Sequence, residues 1–176
     1  MSIAFKCAGQ HTNNDSSNNQ ATQSLLQFIL RDSVLHKTNW TIDYGELFTA
    51  TQRKVLDSII SQFERASTIE ICIFTLDTTM TSKEGFDDFV LHIHNTLGIG
   101  KKNKNNGIVI GISKSLRKIR ISNGYAIQKI LSDSETKYLI DTQFTPYFRK
   151  SDYYAGTLNG VKYLIAKLKK AMKKSY

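Results

Sequence analysis

The stretch Ile108-Val-Ile-Gly-Ile-Ser-Lys-Ser-Leu-Arg-Lys-Ile-Arg-Ile-Ser122 decides the fold of this chain. Its first five residues, Ile108–Ile112, are apolar on both faces, which predicts a central strand. The run Arg117–Ser122 alternates between apolar and polar residues, which predicts a half-exposed strand. The turn Ser113–Leu116 between them is too short for anything but an antiparallel hairpin. Pairing residue 113 with residue 116 would place Gly107 opposite Ser122.

Two unusual loops flank this hairpin. A glycine-framed basic loop, 98–107, precedes the first strand, and the run Asn123-Gly-Tyr-Ala-Ile-Gln128 follows the second. A hairpin brings the start of its first strand beside the end of its second, so the two loops should meet at one edge of the sheet. That meeting point is the candidate site. Glycines at such turns provide unusual backbone dihedral angles, and we assign that structural role to Gly100, Gly107 and Gly124.

The rest of the chain alternates helices with strands. Thr49 and Gln52 form a capping-box pattern before an amphipathic helix, and Ile69–Leu76 is typical of a buried strand. After Asp133 a further helix should run to about Phe144, where Pro146 breaks it. Two more helices are marked by apolar residues at helical spacing: Phe86, Phe89, Val90, Ile93 and Leu97, then Val161, Leu164, Ile165, Leu168 and Met172. This order predicts an α/β fold, a three-layer αβα sandwich around a mixed, mostly parallel sheet of about four strands.

The amino-terminal part has a different composition. Residues 1–20 are polar and rich in asparagine, which predicts a disordered tail, and residues 21–39 contain an extra helix with its apolar spacing at 22–35. The domain proper occupies 40–176. Met1–Cys7 resembles the remnant of a lipoprotein signal, but its apolar part is too short and Lys6 stands where a small residue is expected, which favours a simple tail cysteine. A lipidated Cys7, with the protein at the cell envelope instead of the cytoplasm, is the alternative.

Composition and charge limit the function classes. The chain has 176 residues and a net charge of +9, with two cysteines placed too far apart to predict a disulfide. Its apolar runs are all shorter than the roughly 20 residues of a membrane span. The charge permits binding to anionic membranes or nucleic acid, but the last helix is rich in lysine and poor in arginine. That pattern favours a solvated helix or weak peripheral membrane contact over specific nucleic-acid recognition.

From about Trp40 to Lys170 the chain resembles the TPM domain, which occurs in a thylakoid-lumen phosphatase-like group and in many bacterial envelope proteins. The resemblance implies an αβα sandwich, binding of divalent cations (often calcium) in some members, and modest phosphatase activity in a few. Members resemble accessory factors more often than central enzymes. The resemblance is carried by the order and spacing of Ile42–Tyr44, Leu97–Gly100, Asn106–Val109, Arg117–Ile121, Gly124–Tyr125, Leu131–Asp133, Phe144–Phe148 and Ser151–Gly156.

Two departures from the family pattern concern its acidic residues. Where the family commonly has Asp-Asn-Gly or Asn-Asp-Gly, this chain has Asn105-Asn106-Gly107, and Gln128 stands where the family commonly has glutamate. The resemblance therefore implies a weak site for calcium or magnesium, because carboxylate charge sets much of the affinity for hard cations. Its ligands would come from Asp43, Asp133, Asn106 and Gln128. The lysines Lys101, Lys102 and Lys104 would oppose a cation and favour an anion.

Each of these residues also has a purely structural interpretation. Asp133 after Ser132 is a common acidic residue at a helix N-terminus, and Asp43 could be a turn residue. The lysine loop could simply be solvated. His92 and His94 lie two apart on a helix, point to different sides, and are interpreted as surface residues.

Three functions remain open. The preferred one is an accessory or regulatory module, a monomer that binds a protein partner and has no strong catalytic apparatus. The alternative is a slow, metal-assisted phosphomonoesterase in which Asp43 and Asp133 hold the ion. A basic domain that binds membrane surfaces or nucleic acid is the remote third.

The expected position of the site is unusual for this fold class. Ligands of open α/β sheets usually lie beyond the carboxyl ends of the strands, whereas the motifs here cluster at the opposite end.

Overall fold

The structure is a computed structural model that describes residues 39–101 and 103–174. The tail 1–20 with Cys7, the helix expected at 22–35, and Lys102 lie outside the described residues. Everything below concerns the described part of the chain.

A single mixed sheet of four strands forms the centre of the domain. The strands are β1 (Thr41–Asp43), β2 (Glu70–Thr75), β3 (Gly107–Ser113) and β4 (Lys118–Asn123), and they lie side by side in that order. β1 is parallel to β2 and β2 is parallel to β3, while β3 and β4 are antiparallel. The predicted mixed, mostly parallel sheet is confirmed.

The register of the hairpin differs from the expected one by two residues. Ser113 pairs with Lys118 and Ile108 with Asn123, so the turn spans 114–117 and Gly107 lies opposite Gly124 instead of Ser122. Arg117 closes this longer turn with a left-handed φ of 52°. Side chains alternate with a period of two, so an even shift leaves every side chain on its expected face. The expected meeting of the loops therefore survives the correction.

The long helices begin and end as their capping residues indicate. α1 (Ala50–Ser67) begins with the predicted capping box of Thr49 and Gln52. α2 (Phe86–Leu97) ends at Gly98, which has a left-handed φ of 59°. α6 (Tyr153–Lys174) is the last helix. Among the described helices, none combines the length and the apolar composition that crossing a membrane would require.

The region between β4 and α6 is helical for longer than expected. It contains α3 (Tyr125–Gln128), α4 (Asp133–Leu139), a π-helical turn (Ile140–Phe144) and α5 (Thr145–Phe148). The prediction that Pro146 ends the helix was wrong. The wide π-turn bonds the Thr145 N–H to the Ile140 carbonyl, and Pro146 then stands in the first turn of α5, where its missing N–H costs little.

The sheet separates two apolar clusters, which makes the fold a three-layer sandwich. On one face, alternate residues of β2 and β3 such as Ile71, Ile73 and Ile110 pack against α1, α4 and α6. On the other face, Cys72, Phe74 and Val109 pack against α2. Both faces of β3 are buried along its whole length, as its continuous apolar sequence predicts.

Candidate functional site

The two loops predicted to meet do meet, at the end of the sheet where β2 and β3 begin and β4 ends. The Gly124 N–H donates to the Gly107 carbonyl at 2.8 Å, and the Ala126 N–H donates to the Asn105 carbonyl at 3.1 Å. These bonds extend the β3–β4 ladder beyond the last paired residues and fix the two loops against each other. We call this region the loop edge, residues 98–106 and 123–128.

Asn106 organises the basic loop from within. Its side chain is buried; its Oδ1 accepts from the Lys101 N–H at 2.9 Å, and its Nδ2 donates to the Thr68 carbonyl at 2.8 Å. Both ends of the amide are therefore occupied by the backbone. The metal-ligand role of Asn106 stays a prediction, but a ligand role would compete with these two bonds.

Two lysines of the loop, Lys101 and Lys104, already have partners within the protein. The ammonium group of Lys101 lies 2.6 Å from a carboxylate oxygen of Glu70 and 3.0 Å from one of Glu64. Hydrogen bonding to these two carboxylates raises the pKa of Lys101 above its usual value. Lys104 donates to the Thr68 hydroxyl at 2.9 Å. Anion binding by these side chains stays a prediction, and at Lys101 an anion would have to displace two carboxylates.

A cleft of about 690 Å³ opens at the loop edge. Among the described residues, its polar lining is uncharged except for Lys101, and the amide side chains come from Asn95, Asn105, Asn123 and Gln128. Two exposed apolar side chains lie at its border, Leu91 at 40% and Tyr125 at 66% exposure. The buried Oδ1 of Asn123 has no hydrogen-bond partner within the described residues, although its Nδ2 donates to Thr136 at 2.9 Å. Among the described residues, the cleft is therefore lined by amides rather than carboxylates.

His94 belongs to this cleft, and its interpretation as a surface residue was wrong. Its side chain is buried, and Nδ1 lies 2.8 Å from the Ser122 hydroxyl. Burial lowers the pKa of His94, which favours the neutral ring. The sequence carried a signal for this position, because His94 follows Ile93 and lies four residues after Val90 on the apolar side of α2. His92 is exposed, as predicted.

Asp43 lies at the opposite end of the sheet from Asn106, so the expected common pocket was wrong. Asp43 pairs with Thr75 at the end of β2, whereas Gly107 pairs with Glu70 at its start. Five residues of strand separate the two levels by about 16 Å. β1 is parallel to β2, and its last residue must therefore lie at the carboxyl end of the sheet. A strand assignment for Thr41–Asp43 would have shown this from sequence.

The Asp43 carboxylate is occupied by the turn that leads into α1. Oδ1 accepts from the Leu47 N–H at 2.9 Å and from the Thr75 hydroxyl at 2.6 Å. Oδ2 accepts from the Phe48 N–H at 2.9 Å and pairs with Arg53 at 3.2 Å. The side chain is only 2% exposed. Four donors account for both oxygens without a ligand.

Of the other two predicted metal ligands, Gln128 lines the cleft and Asp133 does not. Gln128 is exposed. Asp133 begins α4 after the capping box of Ser132 and Glu135 and is also exposed. In the part of the chain that the structure describes, no three His, Cys, Asp or Glu side chains are grouped as a metal site. Their metal-binding roles stay predictions.

The three structural glycines are required for close approach more than for unusual dihedral angles. A Cβ atom at Gly107 would overlap the Ile99 carbonyl, and one at Gly124 would overlap the Asn105 carbonyl. Only Gly100 combines such a contact with a positive φ, 105°. The loops at this edge therefore pack backbone against backbone, which leaves no room for side chains between them.

A four-stranded sheet between helices, with an amide-lined cleft at one edge, defines a small αβα domain. The chain belongs to the TPM domain family, whose sequence model matches residues 41–167. A comparison with curated proteins finds no match.

Solved structures that resemble this fold include two bacterial proteins. The N-terminal domain of a P. gingivalis protein is 23% identical with a TM-score of 0.70, over 77% of this chain and 85% of that one. The BA42 protein of the psychrophilic bacterium Bizionia argentinensis is 20% identical with a TM-score of 0.62, over 73% and 86%. These similarities concern the fold.

Proposed function

We propose that this TPM domain is an accessory module that binds a protein partner through the cleft at the loop edge and holds divalent cations only weakly. One observation supports the proposal: among the residues that the structure describes, no acidic side chain lines this cleft. The nearest acids in contact with the loop, Glu64 and Glu70, are both paired with Lys101. Glu70 also accepts the Gly100 N–H at 2.6 Å.

The lining favours recognition of peptide groups. Side-chain amides donate and accept hydrogen bonds at once, as backbone peptide groups do. Tyrosine is enriched at protein interfaces, and Tyr125 stands exposed at the border of the cleft beside Leu91. An uncharged segment of a protein partner fits this combination better than a metal ion does. The module acts as a monomer in this proposal.

A calcium and magnesium titration followed by backbone NMR tests the cation part. We expect shifts only at millimolar concentrations and confined to the loop edge. Restoring acids with Asn105→Asp and Gln128→Glu should raise calcium affinity by about tenfold or more, because carboxylate charge drives calcium binding. Asn105 has a left-handed φ of 46°, which aspartate tolerates as well as asparagine does.

The matched control is Gln62→Glu, the same change on an exposed position of α1. It should leave the titration unchanged. Micromolar calcium affinity in the unaltered protein would contradict the proposal. The absence of any gain in the acid-restored variant would show that the loop edge is not a cation site.

Catalysis is tested separately with 4-nitrophenyl phosphate. We expect no turnover above the rate of a heat-denatured sample, with or without added magnesium. Magnesium-dependent turnover that Gln128→Ala abolishes would contradict an accessory role and support the phosphomonoesterase alternative.

A further inference from the structure

A second cleft, of about 430 Å³, lies at the carboxyl end of the sheet, next to the hairpin turn. It separates the end of β3 and the start of β4 from the segment that joins α5 to α6. Its volume falls within the roughly 300–1,000 Å³ of small-molecule sites. Ligands of open α/β sheets usually bind at this end. The function proposed for the loop edge makes no use of this cleft.

In the part of the chain that the structure describes, the charged side chains that line this cleft are all cationic: Arg117, Lys118 and Arg149. Lys118 is paired with Asp87 at 3.0 Å. The guanidinium groups of Arg117 and Arg149 make no ion pair and no hydrogen bond with any other described residue, and both residues are exposed. The acid next to the lining, Asp152, accepts the Ala155 N–H at 3.0 Å and caps α6. Two guanidinium groups thus remain free to bind an anion.

Neutral donors and an aromatic wall complete the cleft. Hydroxyl donors come from Ser151 and Tyr153, while the Thr145 hydroxyl already donates to the Ile140 carbonyl at 3.0 Å. The rings of Phe148 and Tyr153 lie 4.7 Å apart, centroid to centroid, with an angle of 32° between them. The Lys114 ammonium group stands 6.0 Å from the Tyr153 ring centroid and adds a fourth positive charge near the rim. The cleft therefore combines planar cationic donors with hydroxyls and an apolar surface.

We propose that this cleft binds a tetrahedral oxyanion of the phosphate type, either free or carried on a small organic molecule. The guanidinium groups of Arg117 and Arg149 supply paired N–H donors that match phosphate oxygens. Ser151 and Tyr153 supply neutral donors, and the Phe148–Tyr153 wall receives the organic part when there is one. The proposal concerns the end of the sheet opposite the loop edge and does not depend on the function proposed there.

NMR titrations of the full chain with sodium phosphate and with phenyl phosphate test this site, with sodium chloride at matched ionic strength as the reference. We expect saturable shifts in the amides of 113–119 and 145–153 with both phosphates. Tighter binding of phenyl phosphate would assign the site to phosphate esters. Equal binding would assign it to the free oxyanion.

Two variants remove one guanidinium group each, and each should weaken phosphate binding by about tenfold, because charge-assisted hydrogen bonds are lost. Arg149→Gln changes an exposed side chain. Arg117 has a left-handed φ of 52°, which glycine adopts without strain. The melting temperature of the Arg117→Gly variant should therefore not fall below that of the unaltered protein. A loss of affinity in this variant cannot be attributed to unfolding.

Arg65→Gln is the matched control, because it removes the same charge from the exposed surface of α1. It should leave phosphate affinity unchanged. The proposal is overturned if sodium chloride produces the same shifts, or if the phosphate-induced shifts occur at the lysines of α6 instead of at 113–119 and 145–153. It is also overturned if Arg65→Gln weakens phosphate binding as much as Arg149→Gln does.

Discussion

The burial of the Asp43 carboxylate is explained by its hydrogen bonds to the turn that leads into α1. It joins two backbone N–H groups of the α1 entry to Thr75 on the neighbouring strand and to Arg53 on the helix. Asp43→Ala would leave these donors without an acceptor in a buried position. We expect a loss of about 3 kcal/mol in the free energy of unfolding, measured by urea titration.

The calcium affinity of the Asp43→Ala variant distinguishes the structural role of Asp43 from the predicted role as a metal ligand. In Asp43→Ala the calcium titration of the loop edge should match that of the unaltered protein, measured below the unfolding transition. Unchanged stability combined with lost calcium binding would show that Asp43 is a ligand after all.

His94 should make the stability of the domain depend on pH. Burial lowers its pKa below the usual 6.5, so the unfolded chain binds a proton more readily than the folded one. Its contribution is therefore complete above pH 6.5 and is lost as the pH falls from there towards the lower pKa of the folded state.

Urea unfolding at pH 7.5 and at pH 6.0 measures this effect. The protein should be less stable at pH 6.0, and His94→Gln should reduce the difference between the two values. Ser122→Ala removes the hydroxyl partner but keeps the titrating ring, so its pH dependence should persist. A pH difference in His94→Gln equal to that of the parent would assign the effect to other groups.

At the scale of the elements, the hairpin and its loops depend on contact between backbones. A Cβ at Gly107 would overlap the Ile99 carbonyl, and backbone cannot move aside as a flexible side chain can. We expect Gly107→Ala to cost about 3 kcal/mol of unfolding free energy.

Gly98→Ala is the comparison, because Gly98 has a positive φ of 59° and nothing within 4 Å of an added Cβ. Gly98→Ala should lower the free energy of unfolding by about 1 kcal/mol, because it adds only backbone strain and no steric overlap. If both variants lost the same free energy in urea titrations, steric exclusion at the loop edge would not be the reason for Gly107.

The elements also show what the sequence could predict and why. Periodicity located β2, β3, β4 and the long helices, because each buries one face or both. The predicted turn was two residues too short, because Arg117 adopts a left-handed conformation within the turn. Arginine is not a residue type from which that conformation is expected. Even so, the loops met as predicted, because an even shift preserves the faces. Asp43 was misplaced because three residues of strand are too short to show a period.

At the scale of the whole molecule, the open question is whether the two apolar layers unfold together. One cluster joins the sheet to α1, α4 and α6, and the other joins it to α2. β2 and β3 contribute side chains to both clusters, so disruption of these strands removes packing from both layers at once. This shared sheet predicts a single cooperative unfolding transition.

Cys72 reports on this cooperativity. Its thiol is buried between β2 and α2, and burial raises its pKa, so it is protected from alkylation in the folded state. In a Cys7→Ser background, labelling with iodoacetamide should require global unfolding. The opening free energy from labelling rates should then equal the free energy of unfolding from urea titration. An opening free energy several kcal/mol smaller would mean that α2 separates from the sheet while the other layer stays folded, and that the domain is not one cooperative unit.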